Sequence, residues 1–151
     1  MNAQAPLLRC YRAADEAAAI ELWQRAWQKA YPDIDFAERT DWWRKRWRGE
    51  LVPQATIVVA EADGTLAGYV AIDPRSGYLD QIVVAPELWG SELATLLLDE
   101  AKRISPSRID LLVNKDNARA ISFYQKHGFV LAGDDVNPVS GRPVNKMNWR
   151  P

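Results

Sequence analysis

The hydrophobic pattern of this chain changes period at residue 55. Upstream, Ile20, Trp23, Trp27 and Ala30 recur at helical spacing in an Ala-rich run after Asp15, the pattern of one face of an amphipathic helix. "YPDID" (31–35) breaks that run, and Asp35 is placed to cap a second helix on which Phe36, Thr40, Trp43 and Trp47 share a face. Trp42 falls off that face, and Arg44, Lys45, Arg46 and Arg48 decorate the rest. Downstream, "ATIVVAEADGTLAGYVAID" (55–73) is two β-rich runs joined at Asp63-Gly64, a dipeptide that favours a tight hairpin turn.

"LLRCYRA" (7–13) predicts a first strand with Cys10 in the core, and "GYLDQIVVAP" (77–86) a strand ended by Pro86. Leu93, Leu96, Leu97, Ala101 and Ile104 give a helix stripe that stops before Pro106. "RIDLLVN" (108–114) is a short apolar strand of the kind buried on both faces. "NARAISFYQKHGF" (117–129) is a short helix starting at Asn117, with Gly128 in the C′ position. "FVLAG" (129–133) and "VNKMNW" (144–149) supply the last strands. The order β-α-α-β-β-β-α-β-α-β-β describes an α+β fold, one mixed sheet with helices on both faces. No repeat or low-complexity linker divides it, so residues 1–151 are expected to form a single domain.

A chain of 151 residues that is 48% hydrophobic can bury a proper core. A net charge of −1 offers no general field for nucleic acid or an anionic membrane. One cysteine, Cys10, excludes an internal disulfide framework, and one histidine, His127, excludes metal sites that need several His ligands. No apolar run reaches the roughly 18 residues of a membrane span, and "MNAQAPLLRC" lacks the layout of a signal peptide. The expectation is a cytoplasmic protein with no metal and no nucleic-acid or membrane partner. Five of the seven tryptophans lie in residues 23–47, so the first third handles large apolar surface.

"VVAPELWGSELATLLLDEAKR" (83–103) runs from strand through turn to helix, with "WGSELA" (89–94) at the junction. A helix N-terminus offers unpaired N–H groups and the positive end of a dipole to an anion. Gly90, Ser91 and Ala94 keep side-chain bulk low there, but Glu92 places a carboxylate in the same turn. At ~4 Å a carboxylate and a phosphate repel by about 1 kcal/mol in water, and by about 4 kcal/mol at an effective dielectric of 20. Against this, Glu in a first helical turn is favourable by about 0.3–1 kcal/mol. Two arrangements stay open. Glu92 faces solvent while backbone N–H groups bind the anion, or it occupies the anion position and weakens binding.

The element order, together with "LLVNKDNARAISFYQKHGFVLAG" (111–133) and "VVAPELWGSELATLLL" (83–98), resembles the GNAT acetyltransferases, which move an acetyl group from acetyl-CoA to an amine. Where that family carries Arg/Gln-x-x-Gly-x-Gly/Ala, Trp89 stands at the first position and Glu92 at the middle glycine; only Ala94 conforms. The resemblance implies a GNAT (acyl-CoA N-acyltransferase) fold and acetyl-CoA as co-substrate. Its contacts would be Ile82, Val83, Val84, the loop residues Trp89, Gly90, Ser91, Glu92, Leu93 and Ala94, and Asn117, Ala120, Phe123 and Lys126. For Asn117, helix capping is an equal explanation.

It further implies that Tyr124 lies near the CoA sulfur, where a phenol of pKa about 10 can protonate the departing thiolate. Asp80 matches a position where family members carry a carboxylate base, and strand alternation would set Asp80, Ile82 and Val84 on one side, Gln81 and Val83 on the other. A Val83 or Val84 N–H would steady the oxyanion. Trp27, Tyr31, Trp42 and Gln81 would wall an acceptor site between the first two helices and the sheet. His127 reads as a capping or dipole-stabilised residue. Tyr31, Asp33 and Asp35 suit a cationic amine, whereas "RKRWR" (44–48) suits an anionic acceptor, so the acceptor stays open between a small-molecule and a protein amine. The function implied is N-acetyl transfer to a primary amine by direct attack. The alternative is a non-catalytic acyl-CoA-binding or interaction module, and assembly as a homodimer is left open.

Overall fold

The computed structural model describes residues 5–138 and 140–151. Its centre is the hairpin of β2 (Thr56–Ala62) and β3 (Thr65–Ile72). Asp63 and Gly64 both take positive φ, 53° and 77°, the turn geometry whose twist matches the flanking strands. β1 (Leu7–Cys10) adds to β2 and β4 (Leu79–Val84) adds to β3, giving an antiparallel sheet in the order β1-β2-β3-β4. A second antiparallel sheet holds β5 (Ile109–Asn114), β6 (Val130–Val136) and β7 (Pro143–Trp149) in the order β5-β7-β6.

The two sheets meet through one parallel bridge, Tyr78 with Asp110, where the Asp110 N–H donates to Gly77 O at 2.9 Å. Gly77 has φ +78°, and a Cβ there would lie 2.6 Å from Arg108 O, so only glycine allows this approach. No ladder continues past the bridge, which leaves the facing edges of β4 and β5 unpaired. The mixed sheet expected from the sequence is therefore two antiparallel sheets joined at one point.

Alternation along the hairpin builds a core on each face. Ile57, Val59, Tyr69 and Ala71 pack with residues of α1 (Glu16–Ala30) and α2 (Thr40–Arg46), while Val58, Ala60, Val70 and Ile72 pack with α4 (Leu93–Ile104). Between them, α2 continues through a π-helical turn at Trp47–Leu51 into the short α3 (Val52–Gln54). The tryptophans fill the first core: Trp23 stacks on Trp43 at 4.8 Å, and Trp47 sets an edge on Tyr11 and Tyr69. Such pairs add about 0.5–1.5 kcal/mol each beyond burial. α5 (Ala118–Lys126) starts at Asn117, whose Oδ1 accepts from the Ala120 N–H at 3.2 Å, and Gly128 follows it with φ +93°.

Four local expectations are corrected. Leu98 rather than Leu96 completes the buried stripe of α4, and Leu96 is exposed. β1 ends at Cys10, which is exposed on the edge strand. In α1 the stripe leaves the core at its end: Trp27 is half-buried and Ala30 exposed. β5 buries only alternate residues, Ile109, Leu111 and Val113, because its other face borders a cavity instead of a helix. Among the described residues no helix is long and apolar enough to cross a membrane, and no group of His, Cys, Asp and Glu could hold a metal.

Candidate active site

β4 carries the main irregularity. Ala71 faces Gln81 and Ile72 faces Leu79, so Asp80 is an extra residue inserted between them, a β-bulge that re-aims its side chain. The simple alternation expected for this strand is thereby corrected. Asp80 turns to the side of Gln81, toward α1 and α2. There its two oxygens accept from Arg46 Nη1 at 2.9 Å and Nη2 at 2.5 Å. The pair is mostly buried, with side-chain exposures of 23% for Arg46 and 11% for Asp80. Hydrogen bonding to Asp80 raises the Arg46 pKa, although burial opposes it. Gln81 is near both Asp80 and the Trp27 indole, at 3.4 Å from each.

At the other end of β4 the free edge can be assigned. The Ala85 N–H donates to Ala67 O at 2.8 Å, and Val83 lies opposite Tyr69. Antiparallel alternation then points the peptide groups of Val83 and Ala85 at β3 and those of Ile82 and Val84 at the open edge. The Trp89 Nε1–H donates to Val84 O at 2.9 Å on that edge. Of the two valines considered as oxyanion donors, Val84 is the one whose N–H faces open space.

A groove of about 450 Å³ runs along this edge to α5. Ile82, Val83, Val84, Trp89, Gly90, Ser91, Ala94, Asn117, Ala120, Phe123 and Lys126 all line it. Two of the expected contacts do not. Leu93 is 2% exposed in the core, and Glu92 points to solvent. Gly90 adopts φ +87°, and Ser91 Oγ accepts the Leu93 N–H at 3.3 Å. The amides of Gly90, Glu92, Ala94 and Thr95 have no partner among the described residues, so this turn offers several N–H donors to an anion.

Trp89 is flanked by two cations that sequence reading missed: Arg119 lies 4.0 Å and Lys29 5.1 Å from its ring. They come from α5 and α1, and no local pattern announces them. Burial lowers the Arg119 pKa. His127 closes α5 as its C-cap, as one of the two expected readings had it; its ring meets Thr95 Oγ1 at 3.3 Å, and burial lowers its pKa.

A second cavity of about 320 Å³ lies between α1, α2, β4 and the β6–β7 turn. It brings together all four expected wall residues, Trp27, Tyr31, Trp42 and Gln81, with Arg39, Arg46, Tyr78 and Arg142. Tyr31 donates to Asp116 at 2.9 Å and accepts from Asn114 at 3.0 Å. Asp33 and Asp35 are not in this wall. Asp35 caps the turn that follows, accepting the Ala37 N–H at 3.0 Å. The two cavities share Trp27, Ile82, Asn117, Ala120 and Tyr124. The Tyr124 hydroxyl makes no hydrogen bond among the described residues, and burial pushes its pKa up to about 12.

Two cavities that meet at a protonated phenol and a free strand edge have the layout of a two-substrate group-transfer enzyme. Comparison with known proteins specifies the class. Residues 17–129 match the acetyltransferase (GNAT) family, and the chain belongs to that family of acyltransferases. It is similar to the peptidyl-lysine N-acetyltransferase YjaB of Salmonella typhimurium, with 23% identity over 130 residues, 85% of this chain and 86% of the relative. Among solved structures, the PaiA N-acetyltransferase of Thermoplasma acidophilum in complex with coenzyme A superposes with a TM-score of 0.79 at 22% identity, covering 98% of this chain and all (100%) of that one. The apo form of YjaB from Escherichia coli gives 0.76 at 21% identity, covering 97% of this chain and 98% of that one.

Proposed function

We propose that this enzyme transfers the acetyl group of acetyl-CoA to a primary amine by direct attack, with CoA in the groove along β4 and the amine in the second cavity. The observation that carries the reading is Tyr124. Its unpartnered hydroxyl, on a half-buried side chain, stands on the wall common to both cavities and stays protonated at neutral pH.

In this reading the free amides of Gly90, Glu92, Ala94 and Thr95 receive the pyrophosphate, with Arg119 and Lys29 adding positive charge beside them. The Val84 N–H donates to the thioester carbonyl oxygen and holds the negative charge that develops there. The ammonium first loses one proton to water. The neutral nitrogen then forms a bond to the carbonyl carbon, and the C–S bond breaks with its electron pair on sulfur. Tyr124 gives that sulfur a proton and is reprotonated by the one the nitrogen sheds. The products are the N-acetyl amine, the free thiol and one proton in solution.

Asp80 is not free to act as the base, because Arg46 occupies both its oxygens. We assign it instead the positioning of Arg46 in the acceptor cavity. The reading is tested by thermal shift with acetyl-CoA, CoA and ATP, followed by thiol release with a panel of amines. Stabilisation by CoA species and thiol release dependent on an amine are expected. Stabilisation with no thiol release from any amine would instead support a binding module, and no response to saturating CoA would overturn both.

A further inference from the structure

Polar groups in the acceptor cavity are unevenly used. Asp80 is the only carboxylate among the described residues that line it, and Arg46 holds both its oxygens. Arg142 leans on the Tyr31 ring at 4.7 Å and pairs with Asp116 at 2.9 Å. Arg39 lies over the Phe36 ring at 5.5 Å and has no ion pair among the described residues. Trp43 adds a buried Nε1–H without an acceptor. Beside the Tyr124 hydroxyl, this cavity therefore holds two donors without a partner among the described residues: a guanidinium at the rim and an indole N–H.

The apolar wall is equally specific. Trp42 is 42% exposed and Tyr78 37% exposed, although both rings border the cavity. Large aromatic surface left open beside a free guanidinium matches a ligand with a flat ring and an anionic group. A lysine side chain has neither and would meet arginines with no free carboxylate. The cavity, about 320 Å³, is of small-molecule size.

We propose that the acceptor is a small amine bearing both a carboxylate and an aromatic ring, the class to which aromatic α-amino acids belong. Arg39 receives the carboxylate, Trp42 faces the ring, and the amine points toward Tyr124. This rests on reading the cavity as the acetyl-acceptor site, and the transfer step is the one written above, giving an N-acetyl amino acid.

The test compares L-phenylalanine with phenethylamine, which has the same ring and amine but no carboxylate, and with a lysine-containing peptide. Thiol release from acetyl-CoA is measured beside calorimetric binding to the CoA-loaded protein. L-Phenylalanine is expected to lead both others by about tenfold or more in kcat/KM and in affinity, the scale of a hydrogen bond to a charged group. Arg39→Gln should raise its KM by about tenfold and close most of that gap, with CoA binding reporting that the variant is folded. Equal or better use of phenethylamine or the peptide overturns the proposal, as does a gap that survives Arg39→Gln. If CoA binds but no amine releases thiol, the acetyl-transfer reading fails and calorimetry decides this one. A phenylalanine preference that depends on Arg39 upholds the carboxylate site, and its absence overturns it.

Discussion

Replacing Asp80 by Asn separates a base from a tether. The substitution keeps the shape of the side chain and removes its charge, so Arg46 loses a bidentate partner in a site where the two side chains are 23% and 11% exposed. Removing one member of a buried pair costs roughly 3–5 kcal/mol. Here Arg46 keeps Glu50 at 3.1 Å and reaches some solvent, which reduces the expected loss to about 2 kcal/mol. For a chain of this size that lowers Tm by about 4–8 °C. The double variant Asp80→Leu/Arg46→Met should recover most of it, since an apolar pair of similar volume leaves no charge unpaired. Melting curves are run beside thiol-release profiles from pH 6 to 10. If Asp80 is a tether, kcat stays within about tenfold at pH 9, where solvent deprotonates more of the amine, and the loss appears in stability and KM. If Asp80 is the base, kcat/KM falls by about 10²–10⁴ and the acidic limb of the profile changes. An unchanged Tm together with such a collapse would refute the tether and require Arg46 to release Asp80 when substrate binds.

Tyr124→Phe should lower kcat by about 10²-fold or more without lowering Tm, because the hydroxyl it removes has no hydrogen bond to lose; a kcat within threefold would exclude the proton-donor role. With its pKa pushed up to about 12, Tyr124 stays in its active, protonated form through pH 10, so an alkaline fall in rate centred near 10 would contradict its burial. Glu92→Gly should change CoA affinity by less than about threefold, since Glu92 points out of the groove, and calorimetry showing about tenfold tighter binding would mean that the carboxylate competes with phosphate. Asp15 tests the acid limb of stability: hydrogen bonds from Arg9 hold its carboxyl below the ordinary 3.8. Its contribution is full above that value and is lost as pH falls through the lower folded-state pKa, so Asp15→Asn should flatten the fall of Tm below 3.8.

Features that depend on one segment were legible in the sequence. The hairpin was readable because Asp63 and Gly64 tolerate positive φ, and α5 because Asn117 and Gly128 mark its ends. Features set by a partner strand or helix were not. The bulge at Asp80 exists only in the register of β4 against β3, and the polar pair Asp80-Gln81 in "LDQI" does not say by itself which residue is the extra one. Leu96-Leu97-Leu98 allows two helical stripes, and only the sheet beneath α4 selects Leu98. The cations of both cavities were hidden for the same reason. Arg39 and Arg46 sit on one winding helical segment with Trp42 and Trp43, and nothing in "RKRWR" says that Arg46 turns inward while Arg44 pairs with Asp41 on the surface.

The loop "WGSELA" shows how such distant groups can stand in for a local motif. Its pattern lacks the arginine or glutamine that the family resemblance leads one to expect at position 89, and read locally it has lost a positive charge. In the folded chain the Trp89 indole N–H is fixed on Val84 O, and its ring lies near both Arg119 and Lys29. Two cations near one aromatic ring, without an ion pair among the described residues, repel each other unless an anion lies between or beside them. On the proposed reading, the cations of α1 and α5 stand in for the charge missing from the loop, whose one carboxylate is exposed to solvent. On this geometry, Arg119→Ala and Lys29→Ala should weaken binding of CoA far more than binding of pantetheine, which has no pyrophosphate.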